Sequence, residues 1–243
     1  MITLEDRGDV TVVRLEHGKV NALDLELLRG ITATFTGLRH PGAVVLTGHG
    51  RAFSAGVDLR RIVDGGAAYI DEFLPALSDA FLAVYDYPRP VVAAVNGHAI
   101  AGGCVFACAC DVRLMSAGTI GLTELLVGVL FPTVPLEIMR DAVGPAVRRL
   151  ALTGETFGPE DARRLGLIDE VVDPDSLLDE AVRRAGALAQ IPAEVYAVTK
   201  TQLHAPTRHR MIAERPVHDP IARARWEAPE TQGAMAAYLD NLR

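Results

Sequence analysis

The stretch from Val91 to Cys110 contains no Asp, Glu, Lys or Arg, and it restricts the possible folds more than any other part of the chain. It is long enough to suggest a membrane span, which needs about 20 consecutive apolar residues. Asn96-Gly97-His98 and Gly102-Gly103 interrupt it, however. Turn residues at those places divide it into a buried strand, a turn and a buried helix, so no membrane segment is expected. Such a stretch must be covered on all sides, which takes a large core. A chain of 243 residues that is 49% hydrophobic can supply one.

The same grammar recurs along the chain. Val10 to Leu15 is short and β-branched, and Asp24 then precedes Leu25, Leu27, Leu28, Ile31 and Phe35 at near-helical spacing. The apolar run Ala43 to Thr47, flanked by Gly42 and Gly48, predicts a strand, and a helix is expected over much of Ala67 to Tyr85 before Pro88 and Pro90. Val91 to Val95, a helix from about Gly102 and a strand over Asp111 to Met115 repeat the alternation. Strands without polar interruption, alternating with helices, predict an α/β fold with its sheets covered by helices on at least one face. After Leu130 helices dominate: Leu136 to Val143, Ala146 to Thr153, Pro159 to Leu165 and Leu177 to Leu188, with a short strand near Ile168 to Val172. A last helical segment follows Pro192 and carries an apolar set at Met235, Tyr238, Leu239 and Leu242.

A formal charge of −7 gives no general attraction to nucleic acid or anionic lipid, so an anionic ligand would have to be held locally. The three cysteines, Cys104, Cys108 and Cys110, are odd in number and lack the spacing of a disulfide framework. They are expected to be buried, reduced and inert rather than zinc ligands, in a cytoplasmic protein. The first residues show no basic region leading into an apolar core, so no signal peptide is expected.

Two glycine-bearing loops, Gly48 to Arg60 and Asn96 to Cys104, each follow an apolar strand. Glycines admit close backbone approach, and a helix beginning at Gly102 would present unpartnered N–H groups, donors suited to a developing oxyanion. The first strand is not followed by a Gly-x-Gly-x-x-Gly fingerprint, and neither a P-loop nor a Gly-x-Ser-x-Gly elbow occurs.

Taken in order, Asn21-Ala22-Leu23, Phe53-Ser54-Ala55-Gly56-Val57-Asp58-Leu59, Asn96 to Cys104 and Cys110-Asp111 resemble the crotonase family of enoyl-CoA hydratases and isomerases. The likeness continues through Ile120 to Glu124, Leu152-Thr153-Gly154 and Gly166 to Val172. It implies a crotonase-like spiral of ββα units over residues 1–190, followed by a C-terminal helical region, 191–243, used in trimer or hexamer assembly. It further implies oxyanion-hole N–H groups on Val57 and Gly102. Coenzyme A, as part of the substrate and not a separate cofactor, would lie along Ala22, Ala55, Asp58, Leu59 and Arg60, and Lys200 would reach the CoA of a neighbouring subunit.

Catalytic members of the family carry carboxylates at one or both of two positions, which match Val105 and Glu124 here. Hydration of an enoyl thioester is helped by two carboxylates, whereas a double-bond shift needs one base to move a proton. With Val105 apolar, the pattern resembles the mitochondrial-type Δ3-Δ2-enoyl-CoA isomerases and makes Glu124 the expected acid/base. Glu137 is a second candidate. The alternatives are a hydratase of low activity working through Glu124, and an acyl-CoA-binding protein without catalysis.

Overall fold

Three times in succession the chain lays a strand in one sheet, a shorter strand in a second sheet, and then a helix. The computed structural model describes residues 1–38 and 42–241. In chain order the elements are β1 (Ile2–Arg7), β2 (Val10–Leu15), α1 (Leu25–Gly37), β3 (Ala43–Thr47), β4 (Ala52–Ser54), α2 (Leu59–Tyr85), β5 (Val91–Val95), β6 (His98–Ile100), α3 (Gly102–Cys108), β7 (Val112–Met115) and β8 (Ile120–Gly121). A one-turn 3-10 helix (Glu124–Val127) leads to α4 (Thr133–Val143), and α5 (Val147–Thr153), β9 (Thr156–Phe157), α6 (Pro159–Arg164), β10 (Glu170–Val171) and α7 (Leu177–Ala189) follow. Two C-terminal helices, α8 (Ala193–Glu227) and α9 (Pro229–Asn241), complete the described chain.

The larger sheet has the order β1-β2-β3-β5-β7-β10 and the smaller β4-β6-β8-β9. Pairing is parallel except for β1 with β2 and β8 with β9. This is the expected spiral of ββα units. The uninterrupted apolar strands follow from burial on both faces. Along β3, Val44 and Leu46 face the main core while Ala43 and Val45 face α7; in β5 the corresponding sets are Val91, Ala93 and Val95, and Val92 and Ala94. Leu177, Ala181 and Ala185 of α7 close that second face. Each step of a strand turns the side chain over, so a strand covered on both sides must be apolar at every position.

Several predicted elements need correcting. α2 starts at Leu59, not near Ala67, with the Asp58 carboxylate capping the N–H groups of Arg60 and Arg61. At Gly66 the backbone leaves helical geometry (φ 58°, ψ −152°), so the sequence pattern shows only the second half of the helix. The smaller sheet lies mostly within segments that resemble loops, because strands of two or three residues are too short to show a period. β1 is an edge strand with five of its six residues exposed, and therefore carries no buried stripe. α4 begins at Thr133, earlier than Leu136, because Asp219 of α8 accepts hydrogen bonds from the Thr133 N–H (2.9 Å) and hydroxyl (2.6 Å). The three cysteines are free and buried. Among the described residues no helix is long and apolar enough to cross a membrane. Leu242 lies outside the described residues.

Candidate active site

The motif Asn21-Ala22-Leu23 forms a backbone clamp. Asn21 is held at φ 50°, a left-handed conformation that Asn tolerates better than most residues. Its side-chain amide donates to the carbonyls of Ala52 (3.2 Å) and Phe53 (3.1 Å), and its Oδ1 accepts from the His17 N–H (2.8 Å). The Ser54 hydroxyl donates back to the Asn21 carbonyl (2.7 Å) and accepts from the Gly56 N–H (3.2 Å). Leu23 and Val57 form a parallel bridge, through the Leu23 N–H to the Gly56 carbonyl (2.8 Å) and the Asp58 N–H to the Leu23 carbonyl (3.0 Å). The loop that carries Val57 is thus fixed from both sides.

The second glycine loop packs directly on the first. A Cβ on Gly56, whose φ is 81°, would lie 2.6 Å from the Ile100 carbonyl oxygen and 3.4 Å from the Gly102 nitrogen. A Cβ on Gly103 would lie 2.2 Å from the Ser54 carbonyl oxygen. Only hydrogen at these positions lets the loops approach so closely. Ala101, at φ 51°, is held in a region that costs a non-glycine residue about 1–3 kcal/mol. It caps α3 with no side-chain hydrogen bond, so the first N–H groups of that helix have no cap. Gly102 is the first helical residue, and Val57 lies between strand and helix. Among the described residues no turn or loop hydrogen bond leaves either N–H.

Both residues line a cavity of about 640 Å³. Glu124 and Val105 line it too, as do Ala22, Ala55, Asp58, Leu59 and Arg60. All the expected site residues except Lys200 therefore meet in one place. Arg60 is exposed at the opening and, among the described residues, has no ion pair.

Glu124 begins the 3-10 turn, and while the residue as a whole is half-buried, its Oε2 is buried and has no hydrogen-bond partner. Loss of solvent pushes its pKa up to about 8, against backbone hydrogen bonds at Glu124 and Thr123 that lower it. Val105 is fully buried opposite, with nothing to exchange a proton. Glu137 is not at the cavity: Arg140 and Arg210 donate to its carboxylate at 3.0 and 2.6 Å.

Lys200 does not line this chain's own cavity. It is buried on α8, 2.9 Å from the Asp111 carboxylate, which also accepts from the Val91 N–H (2.8 Å). In this chain Lys200 ties the C-terminal helix to the larger sheet. Replacing it with Met leaves a buried carboxylate without its cation, a change expected to cost about 3–5 kcal/mol, read from denaturant unfolding. Acyl-CoA affinity at temperatures where the variant remains folded is expected to stay unchanged, and a large loss of it there would put Lys200 in contact with the CoA of a neighbouring subunit.

The sequence does not disclose the C-terminal wall of the cavity. Trp226, Tyr238 and Leu239 line it, from α8 and α9 folded back over their own chain. The only sequence signal is the apolar set of Met235, Tyr238 and Leu239, which suits a subunit interface equally well. No group of three or more His, Cys, Asp or Glu suited to a metal ion occurs among the described residues.

The sequence model of the enoyl-CoA hydratase/isomerase family matches residues 5–243. A Thermus thermophilus protein named "Putative enoyl-CoA hydratase" is 36% identical over 206 residues, covering 82% of this chain and 81% of that protein. The rat mitochondrial enoyl-CoA delta isomerase 1 is 27% identical over 251 residues, covering 100% of this chain and 87% of its own. The crystal structure of the human mitochondrial delta3-delta2-enoyl-CoA isomerase superposes with a TM-score of 0.93 at 25% identity, covering 99% of this chain and 97% of that one.

Proposed function

The chain belongs to the enoyl-CoA hydratase/isomerase family, and from that premise we propose that it shifts the double bond of a 3-enoyl-CoA to the 2-position, with Glu124 as the sole acid/base. The carrying observation is that one carboxylate, raised in basicity by burial, lies in the cavity with apolar Val105 where a second would be needed for efficient hydration. Asp58 is the other carboxylate in the cavity lining, and it caps α2.

In this mechanism the thioester carbonyl accepts hydrogen bonds from the N–H groups of Val57 and Gly102, which stabilise the enolate as it forms. Glu124 removes a C2 proton, negative charge spreads through the dienolate onto the carbonyl oxygen, and the protonated Glu124 returns the proton at C4. No group leaves and no water is consumed. Arg60 serves the phosphates of CoA at the opening.

The 36% identity to a protein named as a hydratase favours hydration as the second reading. The two separate in one assay: the purified protein is given 3-enoyl and 2-enoyl thioesters, and the comparison is repeated with Val105→Glu. Isomerisation is expected to exceed hydration in the unmodified protein, and hydration is expected to rise in the variant. Faster hydration by the unmodified protein would reject the single-carboxylate mechanism.

The proposal includes assembly as a homotrimer or a pair of trimers. Its support is that Val195, Val198, Leu203, Ile212, Val217 and Ile221 of α8 are all exposed in the single chain. Light scattering at micromolar concentration is expected to report a multiple of three, and a stable monomer would remove this part.

A further inference from the structure

We propose that the indole of Trp226 is the stop among the buried residues of the cavity, and that it limits this protein to acyl chains of medium length. This rests on the acyl-CoA reading above and adds to it which chains are accepted. The cavity has a direction. Its lining grades from exposed to buried: Arg60, Val20, Leu126 and Tyr238 are exposed, the last three by 44%, 65% and 43%, whereas Leu77, Phe81, Val129 and Trp226 are at most 3% exposed. A nucleotide can leave only past the exposed residues, so an acyl chain bound at Val57 and Gly102 points toward the buried ones.

Trp226 is held there firmly. Its Nε1–H donates to the Leu130 carbonyl (2.8 Å), its own carbonyl accepts from the Gln232 amide (2.7 Å), and its ring lies 6.0 Å from that of Phe73 at 35°. Swinging the ring aside would leave the indole N–H of a buried residue without its partner. A cavity of about 640 Å³ is of the size that takes a drug-sized ligand, and it must hold the pantetheine arm as well as the acyl chain. Its inner walls are apolar, so each methylene gains affinity until the chain end meets the indole.

The test is calorimetric titration of the full-length protein with saturated hexanoyl-, octanoyl-, decanoyl- and hexadecanoyl-CoA, which needs no turnover. For the unmodified protein affinity is expected to rise about fourfold per methylene through the short chains. It is then expected to stop rising before hexadecanoyl-CoA. Trp226→Ala should move that limit to longer chains, so that hexadecanoyl-CoA gains most. Val129→Phe, which adds volume at another buried lining residue, should move it to shorter ones. Shifts in opposite directions cannot both come from partial unfolding, so the pair keeps its meaning even if Trp226→Ala is poorly stable. Affinity that climbs steadily to hexadecanoyl-CoA in the unmodified protein, or a limit that neither variant moves, would overturn the role of Trp226 while leaving acyl-CoA binding intact. Absence of binding by every thioester would instead overturn the functional proposal and this inference together.

Discussion

Glu124→Gln is expected to lower 3-enoyl-CoA isomerisation at least about a hundredfold, the usual scale for loss of general acid–base catalysis, while the affinity for a saturated acyl-CoA changes little. Gln preserves the shape of the side chain but cannot take a proton. The pH dependence supplies a second readout. Burial raises the Glu124 pKa to about 8, so the carboxylate that acts as base is depleted as pH falls below that value. For the unmodified protein kcat/KM should therefore fall about tenfold per pH unit below about 8 and level off above it. In the Gln variant that slope should vanish along with the rate. A Gln variant with near-normal turnover would require another base. Glu137 is held by two arginines away from the cavity, and Asp58 would be the next residue to test.

Gly56→Ala should damage both stability and catalysis, for two separable reasons. An alanine at φ 81° bears about 1–2 kcal/mol of left-handed strain. In addition, its Cβ would lie 2.6 Å from the Ile100 carbonyl oxygen and 3.0 Å from the Ala101 Cβ, so one loop must move. Those loops carry the N–H groups of Val57 and Gly102, and displacing one donor is expected to lower kcat about a hundredfold or more. The strain alone should lower Tm by about 2–8 °C in a chain of this size. Gly50→Ala is the control: it has φ 61° but nothing within 4 Å of its Cβ, and it is not among the cavity-lining residues. It should lose comparable backbone stability and keep its activity. Equal activity in the two alanine variants would show that the close contact between the loops does not position the donors.

These expectations rest on features of different legibility. The Asn21-Ala22-Leu23 and Ser54-Ala55-Gly56 motifs are plain in the sequence, yet their purpose as a clamp emerges only when Asn21 is seen to donate to the Ala52 and Phe53 carbonyls and Ser54 to donate to the Asn21 carbonyl. Lys200, which the resemblance implies would reach the CoA of a neighbouring subunit, lies within its own chain against the Asp111 carboxylate, a contact between residues too far apart in sequence to be read from it.

What the sequence determined by itself is the alternation of strands and helices and the unbroken apolar character of β3 and β5. Those properties are local. Hydrophobic period, turn residues and a cap such as Asp24, which accepts from the Leu27 N–H, act within a few residues of one another. Only the tertiary structure decided how the short strands β4, β6, β8 and β9 form a second sheet, and that α8 and α9 bring Trp226, Tyr238 and Leu239 to the wall of the cavity. Two- and three-residue strands have too few positions to express a period, and their partners are distant in sequence. An apolar helix face, likewise, is the same whether it will meet a neighbouring subunit or its own chain, because the hydrophobic effect has no direction and the choice is made by what the rest of the fold leaves uncovered.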